Sequence, residues 1–215
     1  MRLESVQVGL PREVAWHGRT VITGIFKQPV AGPVLVRALN LEGDAQADLA
    51  VHGGEDKAVY AYPAEHYEPW RRELPDLDLP WGAFGENLTT SGLDEESVCL
   101  GDRFRLGGAE LVVTQPRLPC YKLEVRFGRA GMVRRFLESR RTGFYLKVAQ
   151  EGVVAPGDAI ERIGREPEAV RVADITRVFA FERDDLETMR RALRVAALPE
   201  SWKSYFAERL QRRAG

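Results

Sequence analysis

The chain reads as a mainly β fold: a closed or nearly closed β-barrel with a few peripheral helices and a small helical extension at its C-terminal end. Three observations predict this. Short apolar runs with alternating side-chain type recur through the first two thirds of the sequence. The pairs Gly43-Asp44, Gly101-Asp102 and Gly157-Asp158 punctuate these runs as turns. After Ile163 the pattern changes to helical periodicity. Many short strands divided by turns favour a sheet that closes on itself.

Strands are expected at residues 2–8, 20–26, 34–39, 58–62, 103–106, 109–114, 144–149 and 159–163. Gly107-Gly108 sits between two of these runs and reads as a hairpin turn. Helices are expected at 64–74, which puts Tyr67, Trp70 and Leu74 on one face, and at 130–140, which does the same for Met132, Val133, Phe136 and Leu137. These side chains are assigned to the core, and Arg134, Arg135, Arg140 and Arg141 to a solvated face. Residues 164–167 read as a linker. Helices then follow at 175–181, 184–197 and 199–213, with Asp184 and Asp185 as candidate caps and Pro199 in the first turn of the last. About fifty residues of helix hairpins cannot bury a core alone, so this segment must dock on the barrel or on a partner. The expected division is 1–163 for the barrel and 164–215 for the extension.

With 215 residues, 44% of them hydrophobic, the chain can build a substantial core. A net charge of −1 gives no global electrostatic pull toward a nucleic acid polymer. The two cysteines, Cys99 and Cys120, are too few for a secreted disulfide scaffold. The first residues include Arg2 and Glu4 and hold no long apolar run, so neither a signal peptide nor a membrane span is expected. A reducing, cytoplasmic setting is the expectation.

Cys120 is the most informative residue. An apolar strand leads into Pro116-Arg117-Leu118-Pro119 and then the thiol. Proline fixes φ and ends sheet pairing, so the sulfur belongs at a strand end, in a stiffened loop beside a cation. That presentation suits a reactive or metal-binding thiol, although a small buried core residue is the commoner fate of a free cysteine. Cys99 lies in the apolar stretch 97–100 and reads as structural. A second segment, His52-Gly53-Gly54-Glu55-Asp56-Lys57, pairs a flexible backbone with flanking donors. Such a loop can form an anion-binding concavity or simply a charged turn. In the third, Gly85-Glu86-Asn87, Asn beside Glu suits a ligand with donor and acceptor edges, or a turn tolerant of positive φ. Dinucleotide and phosphate-loop fingerprints, zinc spacing and a serine-hydrolase elbow are all missing.

Together these segments resemble the MOSC domain family, named for the C-terminal region of molybdenum cofactor sulfurase, and in particular its bacterial YiiM-type branch. The resemblance runs through residues 41–48, Val51-His52-Gly53-Gly54, Asp56-Lys57-Ala58, Phe84-Gly85-Glu86-Asn87-Leu88, Gln115-Pro116-Arg117, Pro119-Cys120-Tyr121-Lys122-Leu123 and Thr142-Gly143-Phe144-Tyr145. The tail Leu198-Pro199-Glu200-Ser201-Trp202-Lys203 resembles that branch's three-helix extension. Phe144 stands where some relatives carry Trp, which bears on substrate preference only.

The resemblance implies a β-barrel that binds molybdenum cofactor, a molybdopterin carrying molybdenum, and no pyridoxal phosphate. It makes Cys120 the protein thiolate on the metal and a catalytic residue. It implies reduction of N-hydroxylated compounds, such as hydroxylaminopurine-type base analogues and amidoximes. A soft thiolate suits molybdenum held by dithiolene sulfurs, and Arg117 nearby would favour the deprotonated form. Gly53, Gly54, Lys57 and Arg117 are then candidates for the cofactor's phosphate. His52, Glu86 and Asn87 are candidates for its ring, and Asp56 belongs to the same binding loop. Two cysteines cannot hold a four-thiolate iron–sulfur cluster, so electrons require an external donor protein of the ferredoxin- or flavodoxin-reductase type. A cofactor or sulfur carrier without turnover is the rival reading, and a cysteine hydrolase with His52 as base a third. The oligomeric state is left open, a homodimer included.

Overall fold

In the computed structural model, which describes residues 1–47 and 53–214, most of the expected runs form strands. In chain order they are β1 (Arg2–Val8), β2 (Arg12–Trp16), β3 (Arg19–Thr23), β4 (Gln28–Pro29), β5 (Val34–Val36), β6 (Val59–Pro63), β7 (Leu88–Ser91), β8 (Arg103–Leu106), β9 (Ala109–Pro116), β10 (Phe144–Gln150), β11 (Gly152–Val154) and β12 (Ile160–Gly164). The helices are α1 (Tyr67–Glu73), α2 (Tyr121–Phe127), α3 (Met132–Glu138), α4 (Val172–Ala180), α5 (Leu186–Arg194) and α6 (Glu200–Ala214). Among the described residues no helix is long and apolar enough to cross a membrane.

Eight strands join in one sheet, ordered β12-β8-β9-β10-β6-β7-β1-β4. β6 and β7 run parallel, because α1 and the turn after it return the chain to the end where β6 began. The expected closed barrel is not what forms: the ladder is open, from β12 to β4. The physical reason lies on the edge of β1 that closure would need. Its second half is taken by β4, with Gln7 opposite Pro29 and Val8 opposite Gln28. Only the start of β1 remains to meet the far end of the sheet. There Arg2 makes a single bridge to Ala159, and the Leu3 amide donates to the Asp158 carbonyl at 2.9 Å.

Several elements differ in extent from the sequence expectation. The strand expected at 20–26 stops at Thr23, whose hydroxyl accepts the Ile25 amide at 3.2 Å and turns the chain. It pairs with the unanticipated β2 across a two-residue turn, where both His17 (φ 47°) and Gly18 (φ 72°) are left-handed. The helix expected from 64 opens as a tight turn over Ala64–His66 before α1 begins. Asp185 caps α5, accepting the Thr188 amide at 3.0 Å, whereas Asp184 pairs with Arg213 instead.

Alternation along β6 divides the interior in two. Val59 and Ala61 join one buried cluster, Tyr60 and Tyr62 another. The second is aromatic, with Tyr67, Trp70, Phe84 and Phe136 packed under α1 and α3. Met132 and Leu74 are buried in it as the helical spacing predicts. The first cluster includes Val172, Ile175 and Val178 of α4, Met189 of α5 and Phe206 of α6. The C-terminal helices thus share a core with the sheet. Each fully buried side chain of this size contributes about 1.5–3 kcal/mol, so α4–α6 are held firmly.

Candidate active site

β9 ends at Pro116, and Cys120 follows in extended conformation (φ −129°, ψ 173°) just before α2. The thiol stands at a strand end in a proline-braced loop. Arg117 is buried beside it, 5% exposed. Its amide donates to the Gly143 carbonyl at 3.2 Å. Its guanidinium lies 5.6 Å from the centre of the Tyr60 ring and 5.1 Å from that of Phe136. Burial would lower the Arg117 pKa, but Tyr60, Tyr145 and Cys120 around it outweigh this, and the net shift is upward. The group stays a cation. Its Nη1 is buried without a hydrogen-bond partner among the described residues.

Of the residues singled out from the sequence, Lys57, Asn87, Arg117 and Cys120 line one cavity of about 120 Å³. Lys27, Asp44, Gln46 and Lys122 line it as well. Asp44 organises this wall: it forms a buried ion pair with Lys27, accepts the Gly9 amide at 3.0 Å and accepts Asn87 Nδ2 at 2.8 Å. Asn87 in turn accepts the Tyr60 amide at 3.1 Å. Burial lowers the Lys27 pKa, and Asp44 partly restores it. The cavity thus gathers four basic side chains, Lys27, Lys57, Arg117 and Lys122, among apolar and aromatic walls.

A second cavity, about 350 Å³, adjoins the first and shares Lys57, Cys120 and Tyr145 with it. Its other walls are Gln115, Leu118 and Pro119 near the strand end, and Phe179, Trp202 and Tyr205 from α4 and α6. Cys120 sits where the two cavities meet.

Glu86 is placed differently. It is fully buried and lines neither cavity. Its carboxylate accepts the Tyr67 hydroxyl, the Gly82 amide at 2.8 Å, the Phe84 amide at 3.1 Å and the Thr89 hydroxyl at 3.1 Å. Burial pushes its pKa up, and these hydrogen bonds pull against that. Its geometry is that of a turn organiser. Gly53, Gly54 and Asp56 are also absent from both linings. They build the loop that carries Lys57: the Gly54 amide donates to Gln46 Oε1 at 2.8 Å, and the Asp56 carbonyl accepts the Thr114 hydroxyl at 2.7 Å. Gly54 adopts φ 93°, which a side chain would resist. His52 lies outside the described residues. Cys99 is fully buried and accepts a hydrogen bond from Arg165 at 3.2 Å, a structural placement.

Sequence reasoning passed over Lys27 and the role of Asp44 and Gln46, although the last two lie in the polar stretch 41–48. It also missed Phe179, Trp202 and Tyr205, whose helical spacing speaks only of packing. Among the described residues no group of three or more His, Cys, Asp or Glu is arranged to hold a metal ion. A metal at Cys120 would bring most of its ligands with it.

A strand-end thiol above a basic cavity, on a mixed sheet with docked helices, defines a class that comparison with known proteins identifies. Residues 48–161 match the MOSC domain model, and residues 172–213 match the YiiM-like 3-alpha helix domain. The chain is 43% identical to the uncharacterized protein YflK of Bacillus subtilis, over 97% of this chain and 94% of that one. It is 37% identical to a protein of Gibberella moniliformis named Reductase, over 75% of this chain but only 29% of the longer fungal one. The crystal structure of YiiM from Geobacillus stearothermophilus superposes with a TM-score of 0.81 at 36% identity, covering 97% of this chain and 98% of that one. The chain belongs to the MOSC domain family, in a form that carries the YiiM-like three-helix domain.

Proposed function

We propose that this chain binds a molybdenum cofactor at Cys120 and the basic cavity, and reduces N-hydroxylated compounds with electrons from an external donor protein. The observation that carries the reading is the pairing of Cys120 with Arg117, a buried cation with one unpartnered nitrogen beside a cavity. Leaving such a donor unmatched costs about 1–3 kcal/mol, and an anion in the cavity would complete it. The residues present therefore fit a phosphate-bearing group with a soft metal. Cys120 would hold the metal through its sulfur. Arg117, Lys57 and Lys122 would hold the phosphate, with Arg117 as the directional donor and the lysines as point charges. Asn87 and Asp44 give the polar wall against which a pterin ring would lie. Glu86 keeps the turn that carries Asn87 in shape.

The cofactor, when bound, supplies a two-electron centre. Reduction of an N-hydroxyl compound breaks its N–O bond, consumes two electrons and two protons, and releases the amine and water. Lys57 and Tyr145, which line both cavities, are the donors placed at that junction. Burial raises the Tyr145 pKa against the opposing effect of Arg117, so its phenol keeps its proton. The name of the fungal relative supports reductive chemistry. The two cysteines of this sequence are too few for a four-thiolate cluster, which makes a separate donor of the ferredoxin- or flavodoxin-reductase type necessary.

The test uses protein purified from a host that makes the cofactor. Wild type is expected to carry molybdenum and pterin and to reduce hydroxylaminopurine with an artificial reductant. Cys120→Ser is expected to lose at least tenfold in molybdenum content. A wild-type protein free of molybdenum, or a Cys120→Ser variant with full metal and full turnover, overturns the proposal. A trapped persulfide on Cys120 without any turnover would instead favour the carrier.

A further inference from the structure

The base of the β2–β3 hairpin holds two arginines that line neither cavity. We infer that Arg12 and Arg126, seated on the Phe26 ring, form a second anion site at the rim of the basic cavity, and that this site takes a phosphate group. Nothing in it depends on the cofactor, so it stands or falls apart from the reading above.

Phe26 lies between Ile25 and Lys27, both of which line the basic cavity. Gly9 packs so closely against this segment that a Cβ there would meet the Phe26 carbonyl oxygen at 2.5 Å. Arg12 is the first residue of β2, and its guanidinium lies over the Phe26 ring, 3.8 Å from the centre. The Arg126 guanidinium lies 5.5 Å from the same centre. Arg126 stands one helical turn beyond Lys122 on α2, and Lys122 lines the cavity. One ring thus gathers two distant elements at the cavity's edge. A guanidinium seated over a ring is held through its face, while its donors lie in its own plane and stay open.

The fold answers neither cation. Among the described residues, neither the Arg12 nor the Arg126 side chain makes an ion pair or a hydrogen bond; their contacts are with the ring. Arg126 Nε is buried without a partner, and a buried donor is costly to leave unmatched. Burial lowers the Arg126 pKa, Tyr67, Glu86 and Asp78 oppose this, and Arg12 adds to it. The two like charges therefore feel each other. Glu86 cannot answer them, because its oxygens already accept from four donors. Asp78 is exposed and lies beyond ion-pair distance of both. Lys27, by contrast, has Asp44. A phosphate between the two arginines removes their repulsion and gives Arg126 Nε its acceptor. Guanidinium forks match phosphate oxygens in pairs, which a carboxylate-free arginine pair on a fixed ring is shaped to exploit. Free phosphate and the phosphate of a nucleotide present the same oxygens, and titration separates them.

The experiment is calorimetric titration of the purified full chain with inorganic phosphate and with guanosine monophosphate. Arg12→Met and Arg126→Met each keep an apolar stem on Phe26, and each is expected to lower the affinity for both probes about tenfold. Arg134→Met, which removes an exposed arginine paired with Glu138, is expected to leave it unchanged. A preference of about tenfold for the nucleotide names a nucleotide as the source of the phosphate, and equal affinities name free phosphate. No binding of either probe, or affinity unchanged in both methionine variants at the rim, overturns the inference. A second measurement reads wild type directly. The Arg126 Nε–H resonance, identified by its absence from Arg126→Met, should shift as phosphate is added, and an unmoved resonance at saturation overturns the inference as well. The shift should persist in Arg117→Met; its loss there would assign the anion to the inner cavity and overturn the rim site. Metal and pterin content of Cys120→Ser decides the cofactor reading, and neither phosphate readout depends on that result.

Discussion

Two loops carry a charge into the interior of this protein, and they treat it in opposite ways. In the turn before β7, Glu86 is met by four donors: two backbone amides and the hydroxyls of Tyr67 and Thr89. After β9, Arg117 is enclosed by aromatic rings, and one of its nitrogens has no partner among the described residues. Both are buried, and the sequence singled out both as candidates for binding. The difference separates their tasks. A buried charge whose hydrogen-bonding capacity is consumed by its own fold serves that fold. Arg117 keeps one nitrogen unmatched beside a cavity, and the proposed cofactor would complete it. Lys27 belongs with Glu86 in this respect, because Asp44 answers it from within the chain.

The largest effect should come from removing the satisfied charge. Glu86→Ala takes the acceptor from the Phe84 amide and the Tyr67 and Thr89 hydroxyls, while the Gly82 amide keeps the Tyr67 oxygen at 3.1 Å; the loss is expected to be about 4 kcal/mol, lowering Tm by roughly 10 °C in a scanning calorimeter. A smaller loss would mean that water replaces the carboxylate easily and the turn does not depend on it. Next comes pH. The folded Glu86 carboxyl has its pKa raised above the ordinary glutamate value, so the folded state binds this proton more tightly than the unfolded state. Its stabilising contribution is fully present below the unfolded value and is lost as pH rises through the raised one. Denaturation curves for wild type and Glu86→Gln should therefore diverge most at the acid end and converge upward through that window; an opposite slope would refute the assignment. Arg117→Met should change stability least, by under about 1 kcal/mol, since it removes an incompletely matched buried charge and keeps an apolar stem. Pterin retention should nevertheless fall in the same variant. A stability loss as large as that of Glu86→Ala would place Arg117 among the structural charges and erase the contrast.

Local chemistry made part of this legible. Pro116 and Pro119 announced a strand end and a presented thiol, and Gly107-Gly108 announced the β8–β9 hairpin. What stayed hidden was hidden for physical reasons. β2 is largely exposed, so its run shows no clear division into inward and outward residues. α2 was missed because Tyr121-Lys122-Leu123-Glu124-Val125-Arg126-Phe127 alternates like a strand, yet it follows a strand-terminating proline and closes on Gly128 in left-handed conformation. The open sheet depended on which residues claim the edge of β1, a competition between distant segments. The role of Glu86 could not be read from composition, because saturation is a matter of geometry. The hydrogen bond that seats Trp202 reaches Gln115, 87 positions away along the chain. No local pattern reports a contact at that range.

The seam between Arg2 and Ala159 has a consequence for how the chain reaches its native state. β1 finds its main ladder only in β7, and the bridge that draws the sheet's ends together waits for residues beyond that. During synthesis the first strand would leave the ribosome with only the two-residue β4 as an early mate. Contacts this distant along the chain slow folding, and an unmated strand edge invites association with other nascent chains. The yield of refolding from denaturant should therefore depend largely on the opening residues, far along the chain from Cys120.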